Sequence, residues 1–195
     1  QEKKIPITIF GVGMALERNK EVCDAIKQSD YEVASHGWRW IDYQNVPKAK
    51  EKKDMLLAIK SIKKANYEVA SHGWRWIDYQ NVPKAKEKKH MKLAIQSIKK
   101  IFGQRPLGWY TGRCSPNTRD LVMEEGGFLY DSDSYSDDLP YWETRRGKKQ
   151  LIIPYALDNN DMRFTTSQGF NSGDQFYTFL KDSFDVLYAE GNVSP

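Results

Sequence analysis

Apolar residues recur along the chain in two rhythms that alternate, and the alternation sets the expected architecture. Ile5 to Phe10 forms a short continuous apolar run, read as a buried strand, and Asn19 to Gln28 then takes the helical rhythm. Tyr31 to Ser35 reads as a second strand. Pro47 is suited to be the first residue of a helix, on which Met55, Ala58, Ile59 and Ile62 fall at i, i+3, i+4 and i+7 to make one buried stripe. Met91, Ala94, Ile95 and Ile98 repeat that stripe, and Phe102 extends it before Gly103 ends the helix. Downstream, strands are predicted over Pro106 to Thr111, Phe128 to Tyr130 and Leu151 to Tyr155. A helix runs from a Ser115–Asn117 cap to Glu125, closed by Gly126 and Gly127. A last helix, Asp174 to Glu190, is expected to bury Phe176, Phe179, Leu180, Phe184 and Leu187. Strands alternating with helices imply an α/β fold with a parallel sheet or partial barrel, whose functional loops follow the strand ends.

The repeated stripe belongs to a longer duplication. YEVASHGWRWIDYQNVPKAKEKK stands at Tyr31 to Lys53 and again, letter for letter, at Tyr67 to Lys89. Over units 31–66 and 67–102, 31 of 36 positions agree; the differences are Asp54/His90, Leu56/Lys92, Lys60/Gln96, Ala65/Ile101 and Asn66/Phe102. Solenoid repeats keep a few packing positions while the rest drift, so two near-identical units indicate a recent duplication instead. The formal net charge of +4 equals the contribution of one unit, which holds eight Lys/Arg against four Asp/Glu. The lysines lie on the solvent side of amphipathic helices without interleaved aromatics, so the basic stripe reads as a solvated face and not as a nucleic-acid or membrane footprint.

The 195 residues suit one domain, and 39% hydrophobic content suffices for a core. No run reaches the ~18 apolar residues of a membrane helix, and the first residues do not read as a signal peptide. Cys23 and Cys114 form no framework, which favours free thiols and a cytoplasmic setting.

Candidate chemistry sits in the loops after the strands. His36, or its twin His72, is the imidazole of SHGWRW; four residues on stands Trp40 or Trp76, where a metal site would need a second ligand. Arg113, between Gly112 and a helix cap, suits a carbonyl-rich ligand or an ion pair with a nearby acid. Asp131 or Asp133 could accept a proton or orient a cation, whereas Ser115 and Cys114 have no activating base beside them. The acidic loop lacks the Gly and terminal Glu of a calcium-binding hand. Trp109, Asn160 and Asp161 complete the candidates.

SHGWRWIDYQNV, RPLGWYTGRCSPNT, EEGGFLYDSDSYSDDLPYW, PYALDNNDMRF and QGFNSGDQF together resemble the metal-independent allantoinase branch of the polysaccharide deacetylase (NodB-homology) superfamily. The resemblance implies a distorted (β/α) barrel, here one incomplete domain over 1–195 with units 31–66 and 67–102 duplicated. It also implies opening of allantoin to allantoate by water attack on a cyclic amide, with neither metal nor other cofactor; the alternatives are a metal-dependent carbohydrate deacetylase and a non-catalytic duplicated fragment. A small molecule is the expected partner, not nucleic acid or a membrane, and a homo-oligomer is left open. Carried over by position, His72 or His36 and Asp133 are the catalytic candidates. Trp76 or Trp40, Trp109, Arg113, Asn160 and Asp161 are the substrate-binding candidates. The resemblance places an upstream acidic strand and a downstream His-bearing strand outside these residues, so the chain alone is expected to turn over poorly. His90-Met91 favours the second unit as the one in native register.

Overall fold

The computed structural model describes residues 8–29, 31–36, 38, 39, 41, 43, 45–65 and 69–191. Strand β1 (Thr8–Gly11) leads through Val12 into a short helix α1 (Gly13–Arg18), which the sequence pattern did not suggest. Asn19 ends α1 and caps α2 (Lys20–Gln28), its side chain accepting from the Val22 amide. Strand β2 (Glu32–Ser35) then lies parallel to β1, with Ile9 opposite Val33. Leu16, Ile26 and Val33 close a small core between this sheet and the helices, with Ile9, Cys23 and Tyr31 packed against it. The predicted strand residues Ile5 to Ile7 lie outside the described residues.

Both duplicated helices form, as α3 (Lys48–Ala65) and α4 (Lys84–Phe102). Pro47, predicted as the first helical residue, stands one position before α3, as its twin Pro83 does before α4; the Pro47 carbonyl accepts from Lys50 and Glu51, and that of Pro83 from Lys86 and Glu87. Gly103 ends α4 with φ 83°, a left-handed geometry that costs a residue without a β-carbon little.

The remaining strands are short. Strand β3 (Gly108–Trp109) precedes α5 (Thr118–Glu125), and β4 (Tyr130–Asp131) lies parallel to β3. Strands β5 (Tyr141–Arg145) and β6 (Lys148–Ile152) form a hairpin that the periodicity did not reveal, and the second sheet runs β3-β4-β6-β5. Arg146 and Gly147 make its two-residue turn with φ of 50° and 75°, the mirror-image turn whose twist suits antiparallel strands. The main core gathers Met91, Ala94 and Ile95 of α4 with Trp109, Leu121, Val122 and Phe128, and Trp74 packs on it. Burying such a side chain fully contributes about 1.5–3 kcal/mol.

The duplicated units occupy different places in this α/β fold. Unit 31–66 supplies β2, on β1. Unit 67–102 supplies Ser71, whose amide donates to the Gly108 carbonyl at 3.0 Å and whose carbonyl accepts from Tyr110 at 2.9 Å, a parallel bridge onto β3. Each unit thus pairs with one flanking strand, the first on β1 and the second on β3. A strand has two hydrogen-bonding edges, and here they are shared between two copies.

A correction concerns the last helix, α6 (Gly173–Glu190), capped by the Ser172 side chain. Its stripe was expected to be buried, yet no residue of α6 is fully buried, and Leu180 and Phe184 are 36% and 37% exposed. The stripe packs on the loop before it instead of on the sheet. Phe170 lies 5.1 Å from Phe176 and 5.4 Å from Phe179, and the Arg163 guanidinium covers both Phe170 and Phe179.

Candidate active site

The two copies of SHGWRW meet at their histidines. His36 leaves the end of β2, its amide donating to the Gly11 carbonyl at 2.9 Å, and His72 follows the Ser71 bridge. Their imidazoles contact at 4.8 Å between ring centres, inclined at 67°. The Trp76 ring lies 5.8 Å from His36 and 6.3 Å from His72. Phe10 of β1 and Tyr110 complete the ring cluster, with Tyr110 5.0 Å from His72 and stacked on Tyr155 at 4.6 Å. Burial pushes both imidazoles below their ordinary value. For His36 the charge of Asp161 pulls the other way, whereas for His72 the neighbouring His36 adds to the fall, to about 3. At neutral pH the pair is uncharged.

Arg113 reaches this cluster from the other side, its guanidinium 4.6 Å from the centre of the Trp76 ring. Its loop is held from beneath by Asp133. That buried carboxylate accepts from the Thr111 amide at 2.9 and 3.0 Å, from the Thr111 hydroxyl at 2.8 Å and from the Gly112 amide at 2.9 Å. Asp131, two residues earlier, is pushed up to about 7 by burial and by the charge of Asp133, against the opposing Arg119 guanidinium 3.0 Å away. Burial raises Asp133 too. Arg119 also donates to the Asp133 carbonyl at 2.9 Å, so the acidic loop is clamped onto α5. In this arrangement Asp133 shapes the Arg113 loop through the backbone of Thr111 and Gly112.

The other sequence candidates divide. Asn160 donates to the Tyr155 hydroxyl at 2.7 Å and accepts from the Met162 amide, capping the 3₁₀ turn Asp161–Thr165. Asp161 is exposed and near enough to influence His36. Trp40 lies outside the described residues. Trp109 is a correction: it is buried in the main core, 5.4 Å from the Phe128 ring, and does not face the histidines. Alternate residues of an extended segment face opposite sides, so placing Trp109 in the core turns Tyr110 towards the site. Sequence reasoning missed Tyr110, Tyr155 and Phe10; the alternation in Trp109-Tyr110 was the available signal. Among the described residues no three His, Cys, Asp or Glu side chains converge as a metal site.

The family profile for polysaccharide deacetylases matches residues 1–66 and 57–122, each match containing one duplicated unit. A Schizosaccharomyces pombe protein, provisionally named a polysaccharide deacetylase, is 35% identical over 98% of this chain and 53% of its own length. The crystal structure of Puue allantoinase is 48% identical, with TM-score 0.70, covering 94% of this chain and 57% of that one. The structure of a probable polysaccharide deacetylase from Pseudomonas aeruginosa PAO1 is 47% identical, with TM-score 0.62, covering 100% of this chain and 53% of that one. The chain thus spans about half the length of these relatives.

Proposed function

The chain belongs to the polysaccharide deacetylase family, and from that premise we propose that it carries the pocket of a hydrolase that opens a cyclic amide of the allantoin kind without a metal ion. The observation behind this reading is Trp76, four residues after His72, seated against the Arg113 guanidinium. An indole there cannot ligate a cation. It can cover the face of a flat ring whose alternating N–H and C=O groups meet Arg113 and Asn160. Among the described residues no third His, Cys, Asp or Glu side chain joins the two imidazoles.

The chemistry then rests on this chain's side chains. A neutral imidazole accepts a proton as water adds to the ring carbonyl, and the Arg113 charge stabilises the developing oxyanion. The carbon–nitrogen bond breaks, and the imidazolium returns its proton to the departing nitrogen. Asp133 acts indirectly, through the loop it fixes. A base works best with a pKa near the working pH, so His72, at about 3, is a weak one and turnover is expected to be slow.

The test is allantoate release by the 195-residue chain in the presence of a chelator. A signal that survives chelation and falls on Arg113→Ala supports the reading. Zinc-dependent release of acetate from acetylated sugars, with none from allantoin, overturns it in favour of a carbohydrate deacetylase, the activity suggested by the names of two of the relatives.

A further inference from the structure

Behind the histidine pair lies a cleft that a single unit could not form. It has a cavity volume of about 160 Å³, with Met55 and Ile59 of α3 on one side, Ile98 and Phe102 of α4 on the other, and Trp38 and Trp74 at the loops. Its origin is the duplication. In unit 67–102 the stripe Met91, Ala94 and Ile95 is spent on the main core. In unit 31–66 the counterpart Ala58 is buried against Gly13 of α1 instead. There Met55 and Ile59 stay half-buried and look towards a different flank of the second unit. Surfaces shaped for other partners do not interdigitate, and unfilled apolar space forfeits the dispersion contacts that close packing supplies.

The electrostatics of the walls narrow the occupant. Of the two lining arginines, Arg75 is engaged by Glu51 at 2.8 Å across the two units, and Arg39 is exposed, so its charge is held by solvent. The imidazoles at the mouth are uncharged at neutral pH. Ser97 adds one hydroxyl to a lining that is otherwise mainly aliphatic and aromatic. Apolar cavities of ~150 Å³ admit benzene-sized molecules.

We propose that this cleft between the duplicated units binds a small uncharged aromatic molecule of one or two fused rings, with indole as the probe. The site adjoins the hydrolase pocket, since His36, His72 and Trp76 also line it, but it does not depend on turnover: its body is built from α3 and α4 and needs both units. Occupancy holds the two units together, so ligand stabilises the folded chain by mass action.

The chain has five methionines, and their methyl resonances report the site directly. Titrating indole into the full chain is expected to shift the Met55 methyl saturably while Met91 and Met123, buried elsewhere, stay in place. The thermal midpoint rises over the same concentrations. Ser97→Phe, which puts a ring into the space from α4, is expected to abolish the Met55 response with unchanged far-ultraviolet circular dichroism. A Met55 resonance that stays fixed up to the solubility limit of indole overturns the proposal, as does an equal shift of all five. Tighter binding of indole-3-carboxylate than of indole overturns the uncharged class. Should Ser97→Phe fail to fold, the titration of the unsubstituted chain decides the matter.

Discussion

Units 31–66 and 67–102 carry almost the same letters and do different jobs. Both start a helix just after a proline, and both set a tyrosine against the residue eleven positions on. Tyr43 donates to Asp54 at 3.1 Å, and the Tyr79 hydroxyl meets His90 Nδ1 at the same distance. Beyond that they part. Glu87 is buried and accepts from the Ser115 and Thr118 hydroxyls of the α5 cap, while its twin Glu51 reaches across to Arg75 of the other unit. Met91 is 2% exposed and Met55 half-buried. Local rules therefore decide which elements form, and neighbours decide what each identical side chain is worth.

The largest expected break in the likeness lies between the histidines. His72 is depressed to about 3 from an ordinary value near 6.5, so the unfolded chain binds its proton first as pH falls. Stability is then lost between pH 6.5 and about 3, at up to ~1.4 kcal/mol per pH unit. Urea unfolding across that range should show His72→Gln flattening the slope more than His36→Gln. Equal flattening would make the two sites equivalent.

Next come the stripes. Met91→Ala is expected to destabilise by about 3 kcal/mol through lost burial and a cavity, and Met55→Ala by about 1 kcal/mol or less, by chemical denaturation. A smaller difference follows for the glutamates. Glu87→Ala strands two buried hydroxyls and should cost about 2 kcal/mol, against about 1 kcal/mol for Glu51→Ala. If the order reverses, the cross-unit pair with Arg75 is the stronger tie. The smallest effect is spectroscopic. Both Tyr43 and Tyr79 are pushed up to about 12, chiefly by burial, but Asp54 also contributes to the first. Asp54→Asn should bring Tyr43 back towards 10 in an ultraviolet titration, while His90→Asn leaves Tyr79 near 12.

The helices were legible because their stripes recur at helical spacing, and the SHGWRW and TGRC loops because unusual residues follow strand ends. Which strand each copy would join was not legible, since identical letters cannot encode different partners. Alternation says that Trp109 and Tyr110 face opposite sides, but not which of the two meets the core; that is decided by Leu121, Val122 and Phe128, which pack on Trp109. The β5–β6 hairpin was masked by its charges, with Arg146 at a turn position where glycine or asparagine is the usual signal. Nothing in the sequence singled out Glu87; its burial depends on α5, which lies far along the chain.

The sharing of strand edges has an evolutionary consequence. In a chain with one unit, a substitution in that strand must suit both neighbours at once. Among the described residues β2 pairs with β1, and the Ser71 segment with β3. Each copy is released from half of its former selection, and the two can diverge along separate lines: the first towards whatever fits the amino-terminal sheet, the second towards the core that Met91 and Trp109 define.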